Sequence, residues 1–347
     1  MNAPAKGPEG GEEALGVSLD ELAGKALVVV EQPRAPFRWV RDLPEGAVPV
    51  DWVCEGLLVR GEVALLVSRP KVGKSTLARC LAACVLRGEP FLGRRTVEGS
   101  VLWVSREEPE AFLRERFGRL GVLDLPVATL DFDALAGPLP APDELAEAAR
   151  ACGAALAVVD TLQRVLPMRD ANDYTEAVRV LSELQEAARA CGAAFLVLHH
   201  ANKRAHEAED HAQGVMGSAG LFGTAAVLAT MGRDARGVWV QTEGRFGQNV
   251  PKTYVSLDEE TQRLRSEGTA EQAEERELRE RALEALAEEP ELTRSELRER
   301  LGCRGRALAQ ALAALERDGE VEASGAGRKG DPKRYRIRGE GFSGCDG

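Results

Sequence analysis

Hydrophobic positions in the first two thirds of the chain fall in short, nearly continuous runs: VALLV (63–67), SVLWVS (100–105), LAVVD (156–160) and FLVLHH (195–200). Runs of this length suit strands buried on both faces. Between them the spacing turns helical, over 74–87 and again after the loop that follows Ser105. The resulting βαβαβ alternation predicts an α/β fold with a largely parallel central sheet. A nine-residue string, EAARACGAA, occurs at 147–155 and at 186–194. Each copy ends a helix at a glycine suited to the left-handed cap and then enters an apolar run. These are two successive αβ units, too short a repeat for a solenoid.

After the apolar AAVLATM (225–231), the segments GVWVQTEGR (237–245) and KTYVSLDEETQRL (252–264) alternate as antiparallel strands of a hairpin do. Residues 268–289 are charged and Ala-rich, a helix that both links the core to a second domain and begins that domain. LTRSELRERLG then carries a Thr293 cap with Glu296 at the capping-box position, and a longer helix, a strand, a turn and a basic strand complete the chain. Three helices and a two-stranded wing within this span predict a small winged helix-turn-helix domain. The expected organisation is a flexible segment 1–46, a core 47–266, a linker helix and winged helix 267–338, and a tail 339–347.

The net charge of −11 argues against coating DNA by bulk charge and leaves room for a local basic channel or wing. The first 14 residues are polar, and no apolar run approaches the ~18 residues that span a bilayer, so a cytoplasmic protein without membrane contact is expected. Seven cysteines (Cys54, Cys80, Cys84, Cys152, Cys191, Cys303 and Cys345) include no CxxC pair, which points to reduced, mostly buried thiols.

Candidate chemistry begins where the run 63–67 ends. Ser68-Arg69-Pro70-Lys71-Val72-Gly73-Lys74-Ser75-Thr76 follows the phosphate-cradling pattern GxxxxGK[ST], with Ser68 in place of the first glycine. That glycine helps a chain leave its strand in a conformation disfavoured for other residues, so Ser68 is expected to carry a modest strain. In such loops the backbone N–H groups and the helix N-terminus surround the phosphates, the lysine reaches the γ-phosphate, and the hydroxyl binds Mg²⁺. Asp160, ending its apolar run, suits the carboxylate that holds the Mg²⁺ through water; otherwise it caps a turn. Glu107 and Glu108 follow a strand end, where one could orient water, Glu107 being nearer; otherwise they are a solvated pair at a helix start. Of His199 and His200, one ring should face the nucleotide crevice and the other pack away. The long polar loop after them suits a gated or partner-binding role.

SRPKVGKSTLARCLA, VLWVSREEPE, LAVVDTLQRV, LVLHHANK, GVMGSAGLFGTA and QTEGRFGQNV, in this order over residues 48–265, resemble the RecA-like P-loop ATPases of the plasmid RepA-type hexameric helicase group, relatives of DnaB. The resemblance implies an ATP- and Mg²⁺-dependent ATPase working as a homo-oligomer, a hexameric ring, on nucleic acid. It implies Lys74 and Ser75 at the phosphates and Mg²⁺, Glu107 as catalytic carboxylate, Asp160 as the Walker B acid and His200 as a polar sensor. Arg245 falls where such proteins place an arginine finger that reaches a neighbour's nucleotide; otherwise it is a hairpin surface charge. The segment 217–231 lacks the arginine that RepA-type enzymes carry there, and the loop after His200 mixes Lys203 and Arg204 with Glu207, Glu209 and Asp210, less basic than a loop that grips single-stranded DNA.

At the other end, Arg304 and Arg306 open the candidate recognition helix, and Arg328, Lys329, Lys333, Arg334, Arg336 and Arg338 face three acids (Glu320, Glu322 and Asp331) within 319–338. This suits contact with a duplex DNA backbone, though winged helices also dock proteins. The expected function is a nucleic-acid-linked ATPase motor, with helicase activity, and its alternative is a non-motor ATP-dependent switch whose winged helix binds DNA or a protein.

Overall fold

The sheet forms because its strands have no polar side to show. β3 (Val63–Ser68), β6 (Ala154–Asp160) and β7 (Ala194–His200) are buried along almost their whole length, as both-face coverage requires. Alternation sorts their side chains: Ala64 and Leu66 of β3 join one hydrophobic cluster, while Val63, Leu65 and Val67 join the other. The first cluster is closed by α1 (Lys74–Arg87) and α2 (Glu110–Arg119), the second by α3 (Pro142–Ala151) and α5 (Tyr174–Cys191). Each fully buried Leu or Val in these layers contributes about 1.5–3 kcal/mol, which leaves the strand ends as the places where polar groups can gather.

The computed structural model describes residues 39–42, 49–132, 139–166, 174–200, 223–328 and 330–338. Most of the expected flexible N-terminal segment, the loop after His200, most of the 214–225 motif, Lys329 and Cys345 lie outside them. Residues 1–49 and 50–347 are separate units, and the first contributes a 3-10 turn at Val40–Asp42, with Arg41 over the Trp39 ring.

In the second unit, β1 (Trp52–Cys54) and β2 (Leu58–Val59) form a small antiparallel pair. The main sheet runs β11-β10-β9-β8-β3-β7-β6-β4-β5, where β4 is Ser100–Ser105, β5 Val127–Thr129, β8 Val227–Asp234, β9 Gly237–Gly244, β10 Thr253–Leu257 and β11 Leu264–Thr269. From β5 to β8 every pairing is parallel, and β8 to β11 is antiparallel. An α/β fold with a large, mostly parallel sheet is thus present as expected. The repeated string ends α3 and α5 at Gly153 (φ 62°) and Gly192 (φ 75°), both left-handed.

Two expectations about this unit need correction. The apolar run 225–231 does not stop there: β8 continues to Asp234 and turns directly into β9, so the hairpin β9–β10 has an additional antiparallel neighbour. Gly232 makes the continuation possible, because the Trp239 indole lies across it. Among the described cysteines, Cys54 and Cys80 are buried while Cys84, Cys152, Cys191 and Cys303 are half-buried, so burial is less general than expected.

The chain then enters α6 (Ala270–Glu288), capped by the Thr269 hydroxyl, which accepts from the Gln272 N–H (3.2 Å). α7 (Arg294–Leu301) and α8 (Gly305–Asp318) follow, and β12 (Leu292–Thr293), β14 (Arg334–Ile337) and β13 (Val321–Ser324) form a three-stranded sheet in that order. Ala282, Leu286, Leu297, Leu308, Leu312, Leu315, Val321 and Tyr335 build a separate core. The sheet has one strand more than the two expected. Thr293 both pairs with Arg334 and caps α7 through the Glu296 box, and a two-residue strand leaves no periodic trace in sequence.

A Cβ at Gly232 would stand 2.6 Å from Trp239 Cε2. Gly232→Ala is therefore expected to destabilise the protein by about 1–3 kcal/mol through overpacking, lowering the urea midpoint with an unchanged slope. An unchanged midpoint would contradict this packing.

Candidate active site

Parallel pairing delivers the chemistry to one edge. Ser68 is level with His200 across β3–β7, and Ser105 is level with Asp160 across β4–β6, so the loops leaving these strands open at the same rim. The loop from Ser68 turns through two left-handed residues, Lys71 (φ 64°) and Gly73 (φ 115°), into α1. Ser68 itself stays in the strand, 1% exposed, so the left-handed turn is taken by Lys71, which carries the strain, and by Gly73, which adopts it freely. Its hydroxyl donates to the Arg69 carbonyl (2.8 Å) and accepts from Lys74 Nζ (3.1 Å), a role a glycine could not fill. No side chain caps α1, so its first-turn N–H groups and the positive end of the helix face the loop.

Lys74 is 6% exposed. Its ammonium also donates to the Ser68 carbonyl (3.3 Å) and to His200 Nδ1 (3.0 Å). Burial pulls its pKa down to about 8, against the attraction of Asp160 and Glu107. With Nδ1 accepting, the neutral ring carries its proton on Nε2, which points at Glu107 Oε1 across 3.9 Å, too long for a hydrogen bond. Burial, then the nearby Lys74 charge, lower the pKa of His200 against the pull of Glu107, and a ring whose Nδ1 accepts from an ammonium is neutral, so its approach to Glu107 is not an ion pair. His199 packs the other way, 7% exposed, with its pKa pulled down to about 4 by burial. The two rings divide as the sequence suggests.

The glutamates divide as well. Glu108 is drawn onto Arg79 of α1 (3.1 Å), a buried arginine that also lies over the Trp103 ring (5.9 Å). Glu107 stays at the rim, where its Oε1 accepts from Thr161 Oγ1 (3.1 Å). Asp160 is 2% exposed, and its carboxyl is pushed up to about 6, by burial first and by Glu107 as well, while a hydrogen bond from Ser75 pulls the other way. Its Oδ1 is buried with no hydrogen-bond partner. A buried carboxylate with an orphaned oxygen, bonded to a hydroxyl at the phosphate loop, is a donor set that fits a hard divalent cation such as Mg²⁺.

Three further features were not read from the sequence. Thr161 orients Glu107, yet nothing in a lone threonine after an aspartate announces it. Arg164, exposed on the short helix α4 (Leu162–Val165), lies close enough to His200 to lower its pKa further, and no side chain among the described residues pairs with it. A cavity of about 420 Å³ adjoins the loop, lined by Val72, Gly73 and Thr76 and, from the antiparallel strands, by Met231, Arg233 and Tyr254. Its far wall comes from distant segments, which sequence spacing cannot bring together.

Arg245 is not brought to this rim. Gly244 is level with Val227, and Met231, four residues further along β8, is level with Ser68. Arg245 therefore stands about 13 Å back, at the opposite edge of the sheet. Its backbone N–H donates to the Ala226 carbonyl (3.1 Å), and its guanidinium donates to the Gly223 carbonyl.

Among curated proteins none matches this chain. It is similar in structure to a DnaB-like replicative helicase studied with its primase interactions (TM-score 0.47, 15% identity, 59% of this chain and 57% of that one). It is also similar to a KaiC-like protein from the hyperthermophilic archaeon Pyrococcus horikoshii OT3 (TM-score 0.43, 14% identity, 63% of this chain and 99% of that one). The chain spans just over half the length of the DnaB-like helicase. A family model described as an AAA domain matches residues 30–206, just over half of the chain. That match takes in the loop 68–76, Glu107, Asp160 and His200, and by it the chain belongs to the AAA domain family.

Proposed function

We propose that the chain binds and hydrolyses ATP as a RecA-like P-loop ATPase that assembles into an oligomer, a hexameric ring, and works on nucleic acid in the manner of the RepA-type helicases. The observation that carries this reading is the convergence of Lys74, Ser75, Glu107, Asp160 and His200 on one rim while Arg245 stands at the other edge. A guanidinium at that distance does not reach its own rim, so any part it takes in hydrolysis is at a neighbour's.

In this mechanism Lys74 leaves Ser68 and His200 for the β- and γ-phosphates, whose oxygens replace the acceptors it uses in the free protein. Ser75 Oγ and Asp160 would hold Mg²⁺, which supplies positive charge to the phosphates when bound. Glu107, fixed by the Thr161 hydroxyl, orients a water onto the γ-phosphorus and takes its proton. His200 lies between Lys74 and Glu107, so its Nε2–H can report the γ-phosphate to the loop that follows. Arg164 adds a cation on the same side, and a second subunit's Arg245 neutralises the transition state. The cavity beside Gly73 suits the nucleoside.

A second reading, an ATP-dependent switch without unwinding, has its own support. Arg236 beside that cavity pairs with Glu277 of α6, and the Ala270 N–H donates to the Lys252 carbonyl (2.7 Å), so α6 is anchored next to the cavity. Strand displacement on forked DNA separates the two, since a switch hydrolyses ATP and displaces nothing.

Lys74→Ala should abolish nucleotide binding, whereas Glu107→Gln should retain ATP and lose turnover; normal turnover in the latter removes Glu107 from the chemistry. Arg245→Ala should lower kcat by about 10³-fold. Mixing it with Glu107→Gln should restore part of the rate, because mixed interfaces then hold an intact Glu107 and an intact Arg245. No recovery on mixing contradicts a role in trans.

Asp160 holds its proton more tightly in the folded chain (about 6) than at its ordinary value of 3.8. Its contribution to stability is therefore most favourable below about pH 4 and is lost as pH rises through 6. Asp160→Asn, neutral throughout, should stabilise the nucleotide-free protein at pH 8 by about 1–3 kcal/mol and leave it unchanged near pH 4, while Mg²⁺-dependent turnover disappears. Urea unfolding at the two pH values checks this, and destabilisation at pH 8 contradicts it.

A further inference from the structure

Between residues 270 and 338 carboxylates are about as numerous as basic side chains, yet the ion pairs leave several arginines without one, and four of these lie together. Arg279 pairs with Asp318 and Glu320, Arg300 with Glu288 and Glu289, Lys333 with Glu316 and Arg336 with Glu322. Arg294, Arg298, Arg304 and Arg334 are exposed, and among the described residues no carboxylate pairs with any of them. Two of the bases that sequence counting assigned to the wing, Lys333 and Arg336, are thus already neutralised, while two on α7 that it passed over are not.

These four arginines form one run. Arg294 and Arg298 are four apart on α7 and share a face. A Cβ at Gly305, next to Arg304, would stand 3.6 Å from Arg298 Cδ and 3.8 Å from its Nη1. At the other end Thr293, which precedes Arg294, is the ladder partner of Arg334, and Arg334 alternates with buried Tyr335 and so faces out. Glu296 lies beside Arg334, but its carboxylate is turned onto the Thr293 N–H (2.7 Å). The run has an acidic border: Glu271, Glu274 and Glu275 of α6 share a groove with Arg304 and Arg306. A polyanion on the run is thereby steered along α7 and β14 and away from α6.

We propose that the run Arg304–Arg298–Arg294–Arg334 holds the sugar–phosphate backbone of a nucleic-acid duplex. Guanidinium forks match phosphate oxygens bidentately, which favours phosphates over other anions. Single strands are gripped by stacking bases on aromatic rings, and the one aromatic residue between 270 and 338 is Tyr335, buried at 7%. A rigid surface of guanidiniums without rings fits a duplex. This rests on the reading of the chain as an ATPase that works on nucleic acid, but not on its hydrolytic residues.

The test is fluorescence anisotropy of the full chain with a labelled DNA duplex of about 20 base pairs, an RNA duplex and a single strand of equal length, across salt. The wild type should bind duplex with a log K against log salt slope of about −3 to −4. Arg294→Gln with Arg298→Gln should weaken it about tenfold or more and reduce the slope by about two, with basal ATPase rate and circular dichroism unchanged. Lys333→Gln with Arg336→Gln should change affinity less than about twofold. The two duplex arms say whether DNA or RNA geometry is preferred. Wild-type binding unaltered by the first pair, a preference for the single strand, or no duplex binding at about 50 mM salt, as a module for an acidic protein would show, overturns the proposal. If the wild type binds duplex but hydrolyses no ATP, the ATPase reading fails and this one stands.

Discussion

The register between parallel strands is the constraint on which the rest depends. Ser68 level with His200, and Ser105 level with Asp160, means that four chain segments leave the sheet at one rim carrying a cation, a hydroxyl, two carboxylates and an imidazole. A slip of one residue would turn every core side chain of a strand to the wrong face, and two hydrophobic layers forbid it. The geometry of the rim is therefore set by the packing of Leu65, Val158 and Leu196, residues that have no chemistry of their own.

Burial then tunes what the register brings together. Lys74 and Asp160 are both removed from water, and each has its charged form disfavoured, the lysine moving down and the carboxylate up. A site in this condition is poised for partners that restore the missing solvation, and a phosphate chain with a divalent cation does so for both groups. Arg79, in contrast, is satisfied within the protein by Glu108 and Trp103, which keeps the second glutamate out of the crevice. The same logic separates the arginines between residues 270 and 338 into those paired with a carboxylate and those that are not.

Much of this was legible in residue order. The strand–loop–helix around Gly73, the two glycine-capped αβ units and the Thr293 box are local patterns, and local patterns survive without tertiary information. The division between His199 and His200 followed from strand alternation, and Glu107 rather than Glu108 from proximity to the strand end. Other features were hidden because they are products of pairing. β12 is two residues long, β8 outlasts its apolar run because Gly232 lies under Trp239, and Thr161 meets Glu107 across more than fifty positions of chain. Counting charges along the wing could not say which of them meet, for the same reason: Lys333 pairs with Glu316 of α8, outside the counted stretch, and Arg336 with Glu322 of the facing strand.

Hydrolysis that requires Arg245 from a second copy is the central claim. ATPase specific activity measured against protein concentration, with mass followed by light scattering in the same samples, tests it most directly. Activity should rise with the assembled fraction and level off when assembly is complete. Full turnover by a monomer, constant across dilution, would contradict it.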